Sequence, residues 1–101
     1  MERARTLAVI DVGSNSVRLL VARAFSSSAF EVVDEERFDA RMGEGMDAGV
    51  LTEAAMARGL RALSVMAQVA RSHQPAAITV VGTEALRRAA NASEFVERAH
   101  E

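Results

Sequence analysis

The sequence predicts a small mixed α/β domain with the element order β-β-β-α-β-α-α. Three observations carry that expectation. Two short apolar runs, "TLAVID" (residues 6–11) and "VRLLVARA" (17–24), flank a turn-forming cluster of Gly, Ser and Asn. An amphipathic stretch long enough for several helical turns follows Thr52. A continuous β-branched run, "AAITVV" (76–81), comes after Pro75 and leads through Gly82 and Thr83 into further helical sequence.

Each element has its own warrant. The first two runs are apolar, of strand length and separated by few residues, so they form an antiparallel hairpin. "SSS" (26–28) marks a second turn, and "FEVVDEERF" (30–38) supplies a third strand. Gly43, Gly45 and Gly49 then mark a loop. Thr52 is placed to cap the following helix, with Glu53 in its first turn, where a negative charge meets the positive end of the dipole. Met56, Leu60, Leu63, Ala67 and Ala70 recur at steps of three and four and define one face. Arg58, Arg61, Gln68 and Arg71 lie largely off it, and Gly59 inside the helix points to a close backbone contact. The helix stops near His73, before Pro75. The run 76–81 lacks alternation and reads as a strand covered on both faces, as in a parallel sheet. Thr83 caps the next helix. Asn91 with Glu94 resembles the capping box of a last one, so the sequon "NAS" is read as a cap.

The 101 residues suffice for one small domain. No apolar run approaches the ~18 residues of a membrane span, and no cleavable leader is visible at the N-terminus. There is no cysteine, so disulfides and thiolate metal sites are excluded. A net charge of −2 argues against nucleic acid as a partner of the whole surface. The expectation is therefore a cytoplasmic protein with neither nucleic acid nor membrane among its partners. All 12 basic residues are Arg, a pattern that a GC-rich coding sequence explains, although the guanidinium fork also suits oxyanions.

Two places could carry chemistry. In "DVGSNSVR", Gly13 lets a ligand approach the backbone, and successive N–H groups at a tight turn make a concave anion site. Ser14, Asn15 and Ser16 add side-chain donors. Asp11 ends a buried strand, where a carboxylate needs a partner such as Mg²⁺ or an ordered water. Arg18 interrupts the second apolar run within reach of the turn. The bland alternative is a hairpin turn whose Asp and Asn satisfy local backbone donors. In "VGTEALRRAANASEF" (81–95), a strand passing through Gly-Thr into a helix presents another anion site, with Arg87 one turn beyond. Glu84 there is either a base or a dipole partner. His73 and His100, isolated near helix ends, read as surface residues.

Taken together, "DVGSNSVRLLVAR", "FDARMGEGMDAGVLTEAAMARGLRAL" and "VVGTEALRRAANASEFVERA" resemble the exopolyphosphatase and guanosine pentaphosphate phosphatase family, over nearly the whole chain. The resemblance implies an N-terminal half-domain of the ribonuclease-H-like, actin-like ATPase fold, incomplete at its C-terminus. It implies that residues 1–101 are one phosphate-loop subdomain of a larger two-domain phosphatase. It also implies removal of terminal phosphate from polyphosphate or guanosine pentaphosphate with Mg²⁺ or another divalent cation. Gly13, Ser14, Asn15 and Ser16 would hold phosphate, Arg18 and Arg87 would contact phosphate oxygens, and Asp11 would position the metal or the attacking water.

In that family a catalytic Glu and a D-x-G-G-G-S loop lie further on, and neither falls within these 101 residues. The chain alone is expected to be inactive. The competing readings are a non-catalytic module binding a polyanion or a protein, and half of a sugar or carboxylate kinase, which usually carries Thr after D-x-G. In the implied fold, strand 76–81 lies beside the first strand with its other edge bare. Self-association through that edge, or a homodimer, is expected.

Overall fold

A computed structural model of the chain describes residues 4–26, 28–43 and 50–82. Within them lie β1 (Arg5–Val12), β2 (Val17–Ala24), β3 (Phe30–Phe38), α1 (Glu53–Ser72) and β4 (Ala77–Gly82). They match the first five expected elements to within a residue or two at each end. The two helices expected after Thr83, and with them Glu84, Arg87, the Asn91–Glu94 pair and His100, lie outside the described residues.

The strands form one sheet in the order β3-β2-β1-β4. β1 pairs antiparallel with β2, β2 antiparallel with β3, and β4 parallel with β1. Side-chain alternation then sorts the hairpin. Ala8, Ile10 and Val12 of β1 and Val17, Leu19 and Val21 of β2 are buried on one face, against α1. The other face carries Val9, Asp11, Arg18 and Leu20. A one-residue slip would exchange the two sets, so the buried face fixes the register. The β2–β3 register slips between Val21 and Ala22, so Asp34 and Val32 are successive partners and Val33 is left over as a bulge.

Thr52 caps α1 as expected, its Oγ1 accepting the Ala55 N–H at 3.0 Å. The packed face is rotated from the expected stripe. Ala55, Met56, Gly59, Ala62, Leu63, Met66 and Ala70 are buried, whereas Leu60 and Ala67 lie at its margin. Alanine or glycine occupies 55, 59, 62 and 70, four of the seven buried positions. At the C-terminal end Gln74 takes a left-handed φ of 52°, and its N–H donates to the Arg71 carbonyl at 3.0 Å. This is half of a Schellman closure. The other half needs an N–H from the next residue, which is Pro75.

Strand β4 departs from expectation. Ile78, Val80 and Val81 are 37%, 52% and 44% exposed, so β4 is not covered on both faces by the described residues. α1 lies over β1 and β2, with a lighter contact to β3, and leaves β4 to one side.

Candidate functional site

The β1–β2 turn is closed by the Gly13 N–H, which donates to the Ser16 carbonyl at 2.9 Å. The next two carbonyls are held from outside the hairpin. Ser14 O accepts the Gly43 N–H at 2.7 Å, and Asn15 O accepts the Arg41 N–H at 2.9 Å. Residues 40–43 therefore run as a strap along one side of the turn. In a trans peptide the C=O and the following N–H point in opposite directions, and no described peptide is cis. The Asn15 and Ser16 N–H groups consequently face away from the strap, and neither has an acceptor among the described residues. The turn thus has its carbonyls tied inward and adjacent N–H groups directed outward, the polarity of an anion site.

Gly43 packs against the turn at ordinary van der Waals distance, so a side chain's first carbon would fit there. A Cβ there would stand 3.4 Å from Ser14 O and 3.5 Å from the Ser14 Cβ. Arg41 sits at φ 53°, a left-handed conformation that costs a non-glycine residue about 1–2 kcal/mol. Arg58, one turn into α1, bridges the strap to the helix. Its Nε donates to Ala40 O and its Nη2 to Arg41 O, both at 2.9 Å.

Beside the turn, on the face of the sheet away from α1, Val81, Asp11, Arg18 and Arg37 form one cross-strand row: Asp11 pairs in register with Val81 on β4 and with Arg18 on β2, and Arg18 pairs with Arg37 on β3. Arg37 is engaged by Asp39, its Nε donating at 2.9 Å. The half-buried Asp11 and the exposed Arg18 make no side-chain hydrogen bond or ion pair among the described residues, although they are direct cross-strand neighbours. A groove of about 660 Å³ opens here, in which the charged Asp11, Arg18, Glu35, Glu36 and Arg37 stand among apolar side chains of β1, β2 and β4.

Of the residues singled out from sequence, Asp11, Gly13, Ser14, Asn15, Ser16 and Arg18 are thus brought to one corner of the sheet. Arg87 falls outside the described residues. As to a metal, no group of three or more acidic, His or Cys side chains exists among the described residues. Mg²⁺ bound to phosphate needs only one or two protein carboxylates, its other ligands being water and phosphate oxygens. Asp11 satisfies that minimum. Sequence reasoning missed Arg58, since nothing in an arginine on a helix's polar side reveals which carbonyls it meets. The Gly43 loop was visible as a loop but not as the support of the turn.

His73 is a correction. Rather than an idle surface residue, it closes α1 against β3, with Nε2 2.9 Å from Asp34 Oδ2. That contact, with a further hydrogen bond from Glu36, holds the Asp34 carboxyl below its usual value, while Asp34 pushes the Glu36 carboxyl up. Asp34 pairs in register with Val21, whose side chain is buried on the α1 side of the sheet.

Comparison with known proteins extends this picture. The sequence profile described as the Ppx/GppA phosphatase family matches residues 20–101. A curated Haemophilus influenzae protein named putative exopolyphosphatase is 36% identical over 96 residues, covering 94% of this chain and 29% of its own length. The solved structure of an Aquifex aeolicus PPX-GPPA enzyme superposes with a TM-score of 0.87 at 30% identity, over 98% of this chain and 33% of that one. That of an exopolyphosphatase from Cytophaga hutchinsonii gives 0.85 at 26% identity, over 94% and 30%. The chain spans about a third or less of the length of these relatives. The profile begins after the turn, whereas a superposition over 98% of the chain takes the turn in.

Proposed function

Because the chain belongs to the Ppx/GppA phosphatase family, we propose that its β1–β2 turn is a phosphate-holding loop of an enzyme that removes terminal phosphate from inorganic polyphosphate or guanosine pentaphosphate. The fold is correspondingly part of the actin-like ATPase domain, an α/β unit about a third of the size of its structural neighbours. The observation that carries the proposal is the polarity of the turn: two carbonyls drawn back by the strap, and the Asn15 and Ser16 N–H groups left facing outward. Gly13, Ser14, Asn15 and Ser16 hold the phosphate, and Arg18 neutralises it from β2. Arg87 takes a second phosphate contact by family resemblance.

Asp11 orients the attacking water or a divalent cation, Mg²⁺ being the natural choice. Such a cation would supply charge neutralisation on the phosphate oxygens. Water adds to the terminal phosphorus and gives up a proton, the anhydride P–O bond breaks with the shortened chain as leaving group, and orthophosphate is the second product. Positioning and charge stabilisation from several sides make that step fast, and one loop provides only one side. Residues 1–101 are thus one phosphate-loop subdomain of a cytoplasmic, two-domain phosphatase. Alone they bind polyphosphate without appreciable turnover.

Calorimetric titration of the chain with inorganic tripolyphosphate, with and without Mg²⁺, together with a phosphate-release assay, tests this. Saturable binding without appreciable release is expected. Absence of saturable binding at low salt would sink the loop assignment. Release at the rate of a full-length relative would make Glu84 the candidate base.

A further inference from the structure

We propose that Arg58 is a positioning residue for the phosphate-holding turn, acting through the 40–43 strap; this rests on the phosphate reading above. Three contacts are in series. The Arg58 guanidinium donates to the carbonyls of Ala40 and Arg41 at 2.9 Å each. The Arg41 and Gly43 N–H groups donate to Asn15 O and Ser14 O at 2.9 and 2.7 Å. Those two bonds set the orientation of the Ser14–Asn15 and Asn15–Ser16 peptides, whose N–H groups form the outward face.

The weak point of the series is Arg41. Its left-handed backbone is unfavourable for a side chain with a Cβ and persists only where surrounding contacts over-determine it. Arg58 provides that determination by fixing the carbonyls on both sides of the Arg41 Cα. The planar fork can bind two neighbouring carbonyls at once with little loss of side-chain freedom, which a Lys ammonium cannot reproduce. The apolar part of α1 is anchored to the hairpin core through Met56 and Leu63. Arg58 therefore ties the turn to a helix packed into the core of the domain. Substrate-holding groups must be kept to within about 0.5 Å to act, which loops achieve only with such support.

Backbone amide exchange and tripolyphosphate calorimetry on the 101-residue chain test the proposal together. Arg58→Ala is expected to raise exchange at the Arg41 and Gly43 amides selectively, with the β1–β2 ladder still protected. It is expected to weaken tripolyphosphate binding about tenfold, the lower end of what loss of an outer supporting contact costs. Thr52→Ala is the control. It destabilises the same helix through loss of its cap, and is expected to leave both readouts unchanged once the global shift is subtracted. Should Arg58→Ala fail to fold, Arg58→Lys decides, because it keeps stem and charge and removes only the fork. It is expected to open the same two amides. Unchanged exchange at Arg41 and Gly43 overturns the proposal, as do raised exchange with full affinity and complete rescue by Lys. If the wild-type chain does not bind tripolyphosphate, the phosphate reading fails, and with it the proposed role. Exchange at the two amides then still reports separately whether Arg58 holds the strap.

Discussion

Replacing Arg18 by alanine separates a ligand-binding role from a structural one. Arg18 is exposed on the open face, with Asp11 opposite on β1 and Arg37 opposite on β3. Directly opposed like charges destabilise a sheet pair, and opposed unlike charges stabilise it, by about 0.2–1 kcal/mol each. The substitution removes one of each, so the two nearly cancel. The arginine stem covers only the surface of an otherwise packed strand, and changes of this kind usually stay within about 0.5 kcal/mol. For a domain of this size that corresponds to a change in Tm of no more than about 4 °C.

Phosphate binding responds differently. A hydrogen bond to a charged group contributes about 1.5–3 kcal/mol, so affinity should fall by roughly one to two orders of magnitude. Calorimetry with tripolyphosphate and thermal melting of the same preparations give both numbers. Arg71→Ala, in the last turn of α1, should leave affinity unchanged. A fall in Tm well beyond 4 °C with affinity intact would refute the phosphate role and make Arg18 a packing residue.

Other outcomes follow from the described geometry. Gln74→Gly removes the left-handed penalty at the end of α1 and should stabilise the chain by about 0.5–1 kcal/mol, read as a higher urea midpoint; a lower midpoint would mean that the Gln74 side chain has a role of its own. The lowered pKa of Asp34 gives a stabilisation that is complete above the usual carboxylate range and lost as pH falls through the folded value. The raised pKa of Glu36 acts oppositely, its contribution being present in acid and lost as pH rises through the folded value. Asp34→Asn removes both trends, so stability between about pH 3 and 6 should vary less than in the wild type; parallel curves would contradict the His73–Asp34 contact. The β4 edge, unpaired among the described residues and carrying exposed Val80, should promote association at micromolar concentration, and Val80→Lys should reduce it by placing a charge at the edge. Light scattering that finds the wild type monomeric would show that the edge is covered.

The hairpin was legible from sequence because two strand-length apolar runs and a Gly-Ser-Asn turn all specify it locally. Thr52 and Pro75 likewise bracket α1 through chemistry confined to a few residues. The apolar stripe predicts a face through Leu60 and Ala67, whereas the buried face runs through Gly59, Ala62 and Met66 and leaves those two at its margin, because small residues can be buried without announcing it by hydrophobicity. The exposure of β4 depends on where α1 crosses the sheet, which no local pattern encodes. The site divides in the same way. Asp11, the turn and Arg18 are contiguous and could be named. The strap meets the turn across 26 and 29 residues of chain, and Arg58 meets the strap across 17 and 18, through backbone carbonyls that have no residue type to announce them.

The central claim is that the turn presents its Asn15 and Ser16 N–H groups to phosphate. Amide-resolved NMR titration with tripolyphosphate at low ionic strength tests it most directly. Saturable downfield movement of the Asn15 and Ser16 amides, larger than that of any amide in α1 and reversed by salt, is the predicted result. Shifts confined to the arginine-bearing face of α1, with those two amides unmoved, would contradict the account.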